Sequence, residues 1–462
     1  SKYVGKALGY EIEQLKNEPY ILCENGKSNL MVLDDIRNIT LAIIKETLED
    51  KKPELKEEYL GYKIKNKKYI LSFQKNILEI VLPKIMETVR EKESTIKGAE
   101  GKFILPGQSG CLTRGNINIL PTGTNFYAID PNKIPLRASW KVGKQLGDKL
   151  IERYIQDEGK IPQNIAMLIY GGETMKTNGD DIAEALYLMG VRPIWLNNGD
   201  RVIGLEVIPY EELKRPRIDV LRITGLFRDT FPILIRLLEE AVNLVSQLDE
   251  SDDINYIRKN MNEEIAQLLE EGYKLSEAEH MSKMRVFGCP PGTYGAGVGV
   301  LINSKEWETR EDLGKAYINW SSYAYGSSYH GTKVENIFTE RMKKSEITVK
   351  NESSIEIDML ESDDYYTYHG GLVAAVKYAR GKDPQSYSAD ASDPESTKIR
   401  NLKEETAKIM RSRILNPKWF EGLKRHGYKG AQEVSFMMDI FFGWDATSEI
   451  AEDWMYDKIT EK

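Results

Sequence analysis

The stretch Ser362–Leu372, SDDYYTYHGGL, gathers two acids, three tyrosines, one histidine and two glycines into eleven residues of a chain that holds four histidines in all. Carboxylate and imidazole are the groups that bind divalent ions transiently and exchange protons near neutral pH. Three glycine-rich segments carry further candidates: GGETMK at 171–176, GLFRD at 225–229 and GCPPGTYGAG at 288–297. Glycines such as Gly172 let a backbone approach a ligand closely. Glu173, Lys176, Arg228 and Asp229 supply charges of both signs, and Tyr294 adds a flat face. Together they fit a ligand crevice.

These segments need a frame. Each follows an apolar run that reads as a strand: NIAMLIY, RIDVLRIT and MRVF. VRPIWL and VGVLI read as further strands, and helical patterns lie between them, as in RASWKVGKQLGDKLIERYIQDEG, DDIAEALYLMG and PILIRLLEEAVNLVSQL. In the last of these, Ile233, Leu237, Ala241 and Val245 would line one face. Strands alternating with helices predict an α/β fold, a mostly parallel sheet with helices on both faces. Ligands collect beyond the carboxyl ends of such strands, so the three loops should share one edge. Residues 1–100 read as a helical region, 101–310 as the α/β domain with the glycine-rich loops, and 311–462 as a mainly helical region. Within the last, helices are expected near 311–320, 371–380, 395–413 and 430–442. Ser362 is placed as the N-cap of a helix through His369, with Asp363 and Asp364 at its positive end. Gly370, Gly371, Ala374 and Ala375 then form a small-residue surface, although two glycines cost about 1 kcal/mol each inside a helix.

Composition narrows the function. With 462 residues, 41% hydrophobic, and a net charge of −8, the chain lacks the basic surface that nucleic-acid binding needs. No apolar run is long enough to span a membrane. Three cysteines without CxxC spacing read as reduced thiols of a cytoplasmic protein. Nucleotide motifs fail: ENGKSN resembles the end of a P-loop but has Ile21 where the first glycine belongs, and YGAGVGVL has the wrong spacing with no helix expected after it. His280, His330, His369 and His426 form no HExxH pattern. A permanent zinc site is therefore not expected, while a transient site of one imidazole and one or two carboxylates is.

Several blocks carry a family resemblance. SDDYYTYHGGLVAAVKYARG, NPKWFEGLKRHGYKGAQE, FGWDAT, DWMY, LPTGTNFYAIDPNKIP, ERYIQDEGKIPQNIAMLIYGGETMKTNGDDIAEALYLMGVRP and RVFGCPPGTYGAGV run in family order. Together they resemble the large subunit of the ATP-dependent cobaltochelatases, the CobN family, to which the large subunit of the magnesium chelatases is related. His369-Gly370-Gly371 favours the cobalt branch. Glu356-Ile357-Asp358 departs from it, since a Glu-His-Asp run is common there. The chain would correspond to the C-terminal third to half of such a protein, without its HGxxEWLPG block, and its start at Ser1 suggests a processed or cut chain.

The resemblance implies a tetrapyrrole-binding chelatase subunit of cobalamin biosynthesis that inserts divalent cobalt into a corrin-type ring, while AAA+ ATPase partner subunits hydrolyse ATP. Under it, His369, Glu173 and Asp364 are the expected catalytic residues, with His369 and Glu173 on the metal. Arg114, Lys176, Arg228, Tyr294 and Gly172 are expected to hold the substrate. The alternatives are a magnesium or nickel chelatase large subunit, and a non-catalytic docking module for the ATPase subunits.

Overall fold

A computed structural model describes residues 1–23, 26–126, 129–220 and 224–461. The chain forms two units, Ser1–Ser109 with Asn116–Ala128, and Gly110–Gly115 with Ile129–Lys462. In the first unit Ser28 caps the helix Asn29–Asp50, its hydroxyl accepting from the Met31 N–H. Val32, Ile36, Ile39 and Ile43, at three and four spacing, are fully buried there against Val4, Leu8 and Ile70. Leu22 forms an isolated bridge with Ser28, and Glu24 and Asn25, where the P-loop-like ENGKSN begins, lie outside the described residues.

The second unit is built on a sheet. Helix α1 (Arg137–Glu158) leads into strand β1 (Asn164–Leu168), followed by α2 (Gly171–Thr177) and α3 (Asp180–Met189). Gly190 closes α3 at φ 79°, a left-handed conformation that favours glycine, and its N–H reaches Leu186 O and Tyr187 O. Strands β2 (Val191–Trp195) and β3 (Val202–Val207) then pair with each other as an antiparallel hairpin, so VRPIWL does not join the main sheet. Strand β4 (Asp219–Val220) does, and the remainder of the expected strand, Leu221–Ile223, lies outside the described residues. Helices α4 (Gly225–Thr230) and α5 (Pro232–Ser246) come next. The buried stripe of α5 is Leu234, Ile235, Leu238, Ala241, Val242 and Val245, rotated from the expected face so that Ile233 and Leu237 sit at its margin.

Strand β5 (Phe287–Gly288), from MRVFG, pairs with β6 (Tyr323–Tyr325), which in turn pairs with β7 (His330–Lys333), in a separate antiparallel sheet. VGVLI, expected as a strand, is helix α6 (Val298–Ser304), which begins on Gly297. Gly297 cannot carry a side chain because an added Cβ would lie 2.4 Å from Trp320. A helix thus does follow the YGAG turn. After α7 (Arg310–Ser321) the chain returns to the main sheet as β8 (Ile347–Glu352), enters α8 (Gly371–Arg380), and adds β9 (Gln385–Asp390) and β10 (Lys398–Asn401) before α9 (Leu402–Ser412) and α10 (Tyr428–Ser448).

Among the described residues the main sheet has the order β10-β9-β8-β1-β4. Its inner pairs are parallel, with Ile347 opposite Ile165 and Gln385, and only β9–β10 is antiparallel. This is the mostly parallel α/β architecture expected. Strands from both sides of residue 310 share this sheet, so the segment 311–462 supplies its centre as well as helices. Helices α1, α3 and α5 cover one face with Leu146, Leu150, Leu186 and Leu234 in its core. Leu168, Tyr317, Leu372 and Trp444 belong to the core of the other. No described helix is long and apolar enough to cross a membrane.

Candidate functional site

Parallel strands β1, β4 and β8 deliver their carboxyl ends to one edge, and the segments that follow meet there. Thr224, at the N-cap of α4, accepts from the Gly171 N–H at 3.3 Å. A Cβ on Gly171 would sit 2.8 Å from Phe227 N, so only glycine lets α2 and α4 touch. Gly225 packs equally tightly on Tyr294 and Cys289. Arg228 fastens the second loop to the third. Its Nε and Nη2 bind both Asp229 oxygens at 2.6 and 2.8 Å, Nη1 donates to Pro290 O and Cys289 O, and Nη2 to Thr293 O. Tyr294 closes the arrangement by donating to Asp229 Oδ2 at 2.7 Å. The third loop reaches the opening motif through Gly295 N–H, which donates to Tyr368 OH at 2.8 Å, and Tyr368 stands edge-on to Tyr170, 5.5 Å between centroids. All three loops and the SDDYY segment therefore share one edge.

At its centre is a cation that sequence reasoning did not single out. Lys350, on β8, is buried with its Nζ 4.1 Å from the Tyr365 ring centroid and 4.7 Å from that of Tyr170. It donates to Glu352 Oε1 at 2.5 Å, while Tyr365 OH donates to the other oxygen at 3.1 Å. Glu173, in the first turn of α2, accepts from the Ser353 N–H at 3.0 Å and pairs with Lys176 at 3.3 Å. Burial alone would push the Glu173 carboxyl up, but Lys350, Lys176 and the Ser353 N–H outweigh it and hold it below its ordinary value. Burial wins at Glu352, which is pushed up to about 7 against the pull of Lys350. Glu352 also lines a cavity of about 130 Å³ with Asp358, Ser388 and Asp390. One carboxylate thus stays ionised beside another that titrates near neutrality.

The other expected residues fall into three settings. Asp364 is at the rim, where its backbone carbonyl accepts from Tyr170 OH at 2.9 Å; the residue keeps solvent contact, but partial desolvation of its carboxyl, with the neighbouring Asp363, raises it. Tyr294 is 59% exposed, with its hydroxyl on Asp229 and its ring under Arg228. Lys176 is part-exposed on the Glu173 pair. Arg114 lies deeper, bound to Asp180 through Nη2 and with Nη1 buried and unpartnered. Arg228 has every N–H engaged, as described, so its guanidinium serves as a loop clamp.

His369 belongs to the interior. Its ring is 2% exposed, Nε2 lies 3.2 Å from Thr348 Oγ1, and Trp444 stands edge-on at 5.8 Å. Burial, with Lys350 nearby, pushes the imidazole down to about 3, so it is neutral. Ser362 occupies the cap position without a side-chain cap bond, and the helix widens to a π-turn over Tyr366–Gly370. The two glycines answer to packing. A Cβ on Gly370 would lie 2.2 Å from Thr447 Oγ1, and one on Gly371 2.5 Å from the Tyr317 ring. The small-residue surface is thus occupied by α7 and α10. Among the described residues no three His, Cys, Asp or Glu side chains are grouped to hold a metal ion.

Behind Glu173 stand three more buried acids of α3: Asp180, Asp181 and Glu184. Burial pushes them up to about 6, 7 and 8 respectively. Every residue of DDIAEALYLM is buried, which its three acids gave no sign of in the sequence. A helix buried on all sides that still carries four acidic or aromatic polar groups does not read as an ordinary amphipathic one.

Gly172 offers a clean probe of the edge. An added Cβ there meets nothing within 4 Å, whereas at Gly171 it strikes backbone. Gly171→Ala is expected to destabilise the unit by about 2 kcal/mol through overpacking, and Gly172→Ala to leave the thermal midpoint unchanged. A loss of ligand affinity in Gly172→Ala alone would then report close approach of a ligand; equal melting losses in both would refute the difference in packing.

Comparison with known proteins places this geometry. The chain is 44% identical to an uncharacterized protein of Methanocaldococcus jannaschii over 99% of its length and 36% of that protein's. It is 42% identical to the aerobic cobaltochelatase subunit CobN of Pseudomonas aeruginosa, covering 80% of this chain and 30% of that one. The fold superposes on a structure described as the catalytic subunit of cobaltochelatase from Mycobacterium tuberculosis with a TM-score of 0.88 and 36% identity, over 98% of this chain and 37% of that one. The chain thus spans about a third of the length of the curated relatives it matches. The family model for CobN/Magnesium Chelatase matches residues 1–462 from end to end, and the chain belongs to that family.

Proposed function

We propose that this chain is the part of a chelatase large subunit that receives a tetrapyrrole and accepts its protons as a divalent ion, cobalt in preference to magnesium or nickel, enters the ring. The observation that carries this reading is the charge centre at the carboxyl edge, where Glu173 is held ionised by Lys350 and Lys176 beside the rings of Tyr170 and Tyr365. Metal insertion requires two pyrrole N–H bonds to break. The electron pair of each stays on nitrogen for the entering ion, and each proton needs an acceptor. Glu173 is suited to the first and Glu352, titrating near 7, to the second. Lys176 and Arg114 are suited to the ring's peripheral carboxylates. His369, neutral and packed on Trp444, is suited to bracing the π-turn under the tyrosines. Cobalt is favoured because the Pseudomonas relative and the solved structure above are both cobaltochelatases. ATP hydrolysis is assigned to AAA+ partner subunits.

A free-base porphyrin bearing propionates is the probe. Titrated into the chain, it should give a saturable Soret shift. Glu173→Gln should keep that shift and, in the assembly with ATPase partners, slow metal entry by about a hundredfold or more, the usual worth of a general base. No shift at high-micromolar porphyrin, with partner capture intact, would leave this segment a docking module.

A further inference from the structure

The acids behind Glu173 hold it from two directions. On one side Thr174, next to Glu173, has its hydroxyl 3.0 Å from Tyr170 O and 2.6 Å from Asp181 Oδ2. A hydroxyl has one proton and cannot donate to both. If Asp181 is a neutral acid, its O–H donates to Thr174 Oγ1 and Thr174 donates to the Tyr170 carbonyl. The other oxygen, Oδ1, still accepts from the Ile182 N–H at 2.9 Å. On the other side Glu184 Oε2 accepts from Asn351 Nδ2 at 2.7 Å. Asn351 lies two residues before Ser353, whose N–H holds Glu173. Glu184 Oε1 and Asn351 Oδ1 are buried without partners. An ionised Glu184 would therefore keep a full charge in the interior on a single hydrogen bond, which is costly. A neutral one can give its proton to the Asn351 oxygen once that amide turns.

The surroundings push the same way. The charged groups that reach the pair are Asp180 on the same helix and Glu173 on α2, all acids. Arg114 pairs with Asp180 through Nη2. The groups of α1 and β8 turned towards these acids are Ser139, Gly143 and Asn351, all uncharged.

We propose that Asp181 and Glu184 are positioning residues that work as neutral carboxylic acids, bracing Glu173 through Thr174 on one side and through Asn351 and Ser353 on the other. Ionising them breaks both braces. Burial places their titration at about 7 and about 8. Because the neutral form is the working one, the brace is complete at lower pH and is lost as pH rises through those values.

This rests on the reading of Glu173 as the residue facing the ring, so the test has two independent arms. Infrared spectra of the full chain at pH 6 should show protonated-carboxyl bands, one missing in D181N and another in E184Q. Absence of bands assignable to these two positions would overturn the proposal. In the second arm, porphyrin affinity of the wild type should fall about tenfold between about pH 5.5 and about pH 9.5, the range in which both acids ionise. The D181N/E184Q double variant, whose amides mimic the neutral acids, should lack that fall. Identical pH profiles in the two proteins would also overturn it. A wild type that binds no porphyrin at any pH defeats the reading of the site, and the infrared bands then still decide the protonation.

Discussion

Replacing Lys350 with methionine is expected to cost more stability at pH 8 than at pH 5, and to slow metal entry at both. Methionine keeps the stem between the Tyr170 and Tyr365 rings and removes the charge. Two buried carboxyls then lose their shared cation: Glu352, bonded to Lys350 at 2.5 Å, and Glu173, which Lys350 helps to keep ionised. Stranding one member of a buried ion pair costs about 3–5 kcal/mol. Here the acids can evade part of that by taking protons. In the wild type Glu173 sits below its ordinary value, so its contribution is present at neutral pH and is lost as pH falls. Without Lys350 the Glu173 value rises above the unfolded one and its sign reverses, while that of Glu352, already raised, climbs further: stability is retained in acid and lost as pH rises through the raised values. Melting curves of wild type and Lys350→Met at the two pH values measure this directly. An equal depression of the midpoint at both would mean that Lys350 does not govern the two carboxyls. With Glu173 protonated, the first proton acceptor is gone, and the rate in the assembled enzyme should fall by about a hundredfold or more.

How much of this was legible before folding depended on what each segment does. The helices α1, α3 and α5 and the strand β1 follow from periodicity and end signals because they bury apolar side chains in a regular frame. The meeting of the three glycine-rich loops was legible only in part: two of them follow parallel strands, which send their carboxyl ends one way, whereas the third follows β5 of the separate antiparallel sheet and joins them through Arg228. Strand β8 was not legible. Its sequence ITVKNE alternates apolar and polar residues, yet Thr348, Lys350 and Asn351 are as buried as Ile347 and Val349. A central strand normally reads as a continuous apolar run. This one spends its polar side chains on His369, Glu352 and Glu184, and so hides both the sheet's middle strand and the cation at the site's centre. VGVLI failed for the opposite reason, since a short apolar run has no period to distinguish strand from helix. His369 stood out by its glycines, and those turned out to mark close helix packing against Thr447 and Tyr317. Arg228 was legible as a charge in the right loop, but which partner would saturate it depended on the distant turn at Cys289–Thr293.

Asp219→Ala should separate structural charge from functional charge. Asp219 begins β4 opposite Asn164, the first residue of β1, and thus lies at the amino ends of the parallel strands. There it binds Arg285 Nε at 2.8 and 2.9 Å and Arg341 Nη1 at 3.0 Å, with Asn260 Nδ2 at 3.1 Å. Glu264 adds a second carboxylate, 2.5 Å from Arg341 Nη2. Two acids face two guanidinium groups there, matched in number. The carboxyl-edge cluster is different: Glu173, Asp180, Asp181, Glu184 and Glu352 outnumber Lys176, Lys350 and Arg114. Excess acid held in the interior is expensive unless some of it stays protonated, as proposed above for Asp181 and Glu184. Removing Asp219 leaves Arg285 with only Glu264, 3.6 Å away and shared with Arg341, and should destabilise the second unit by about 3–5 kcal/mol. Studied at a temperature where the variant remains folded, it should bind the porphyrin probe within about threefold of wild type, as expected for a site that shares no partner with the mutated one. A variant that melts like wild type would show the amino-end network to be dispensable. One that stays folded but loses the probe would show that the two ends of the sheet are coupled, and that balanced charge is no guide to a structural role here.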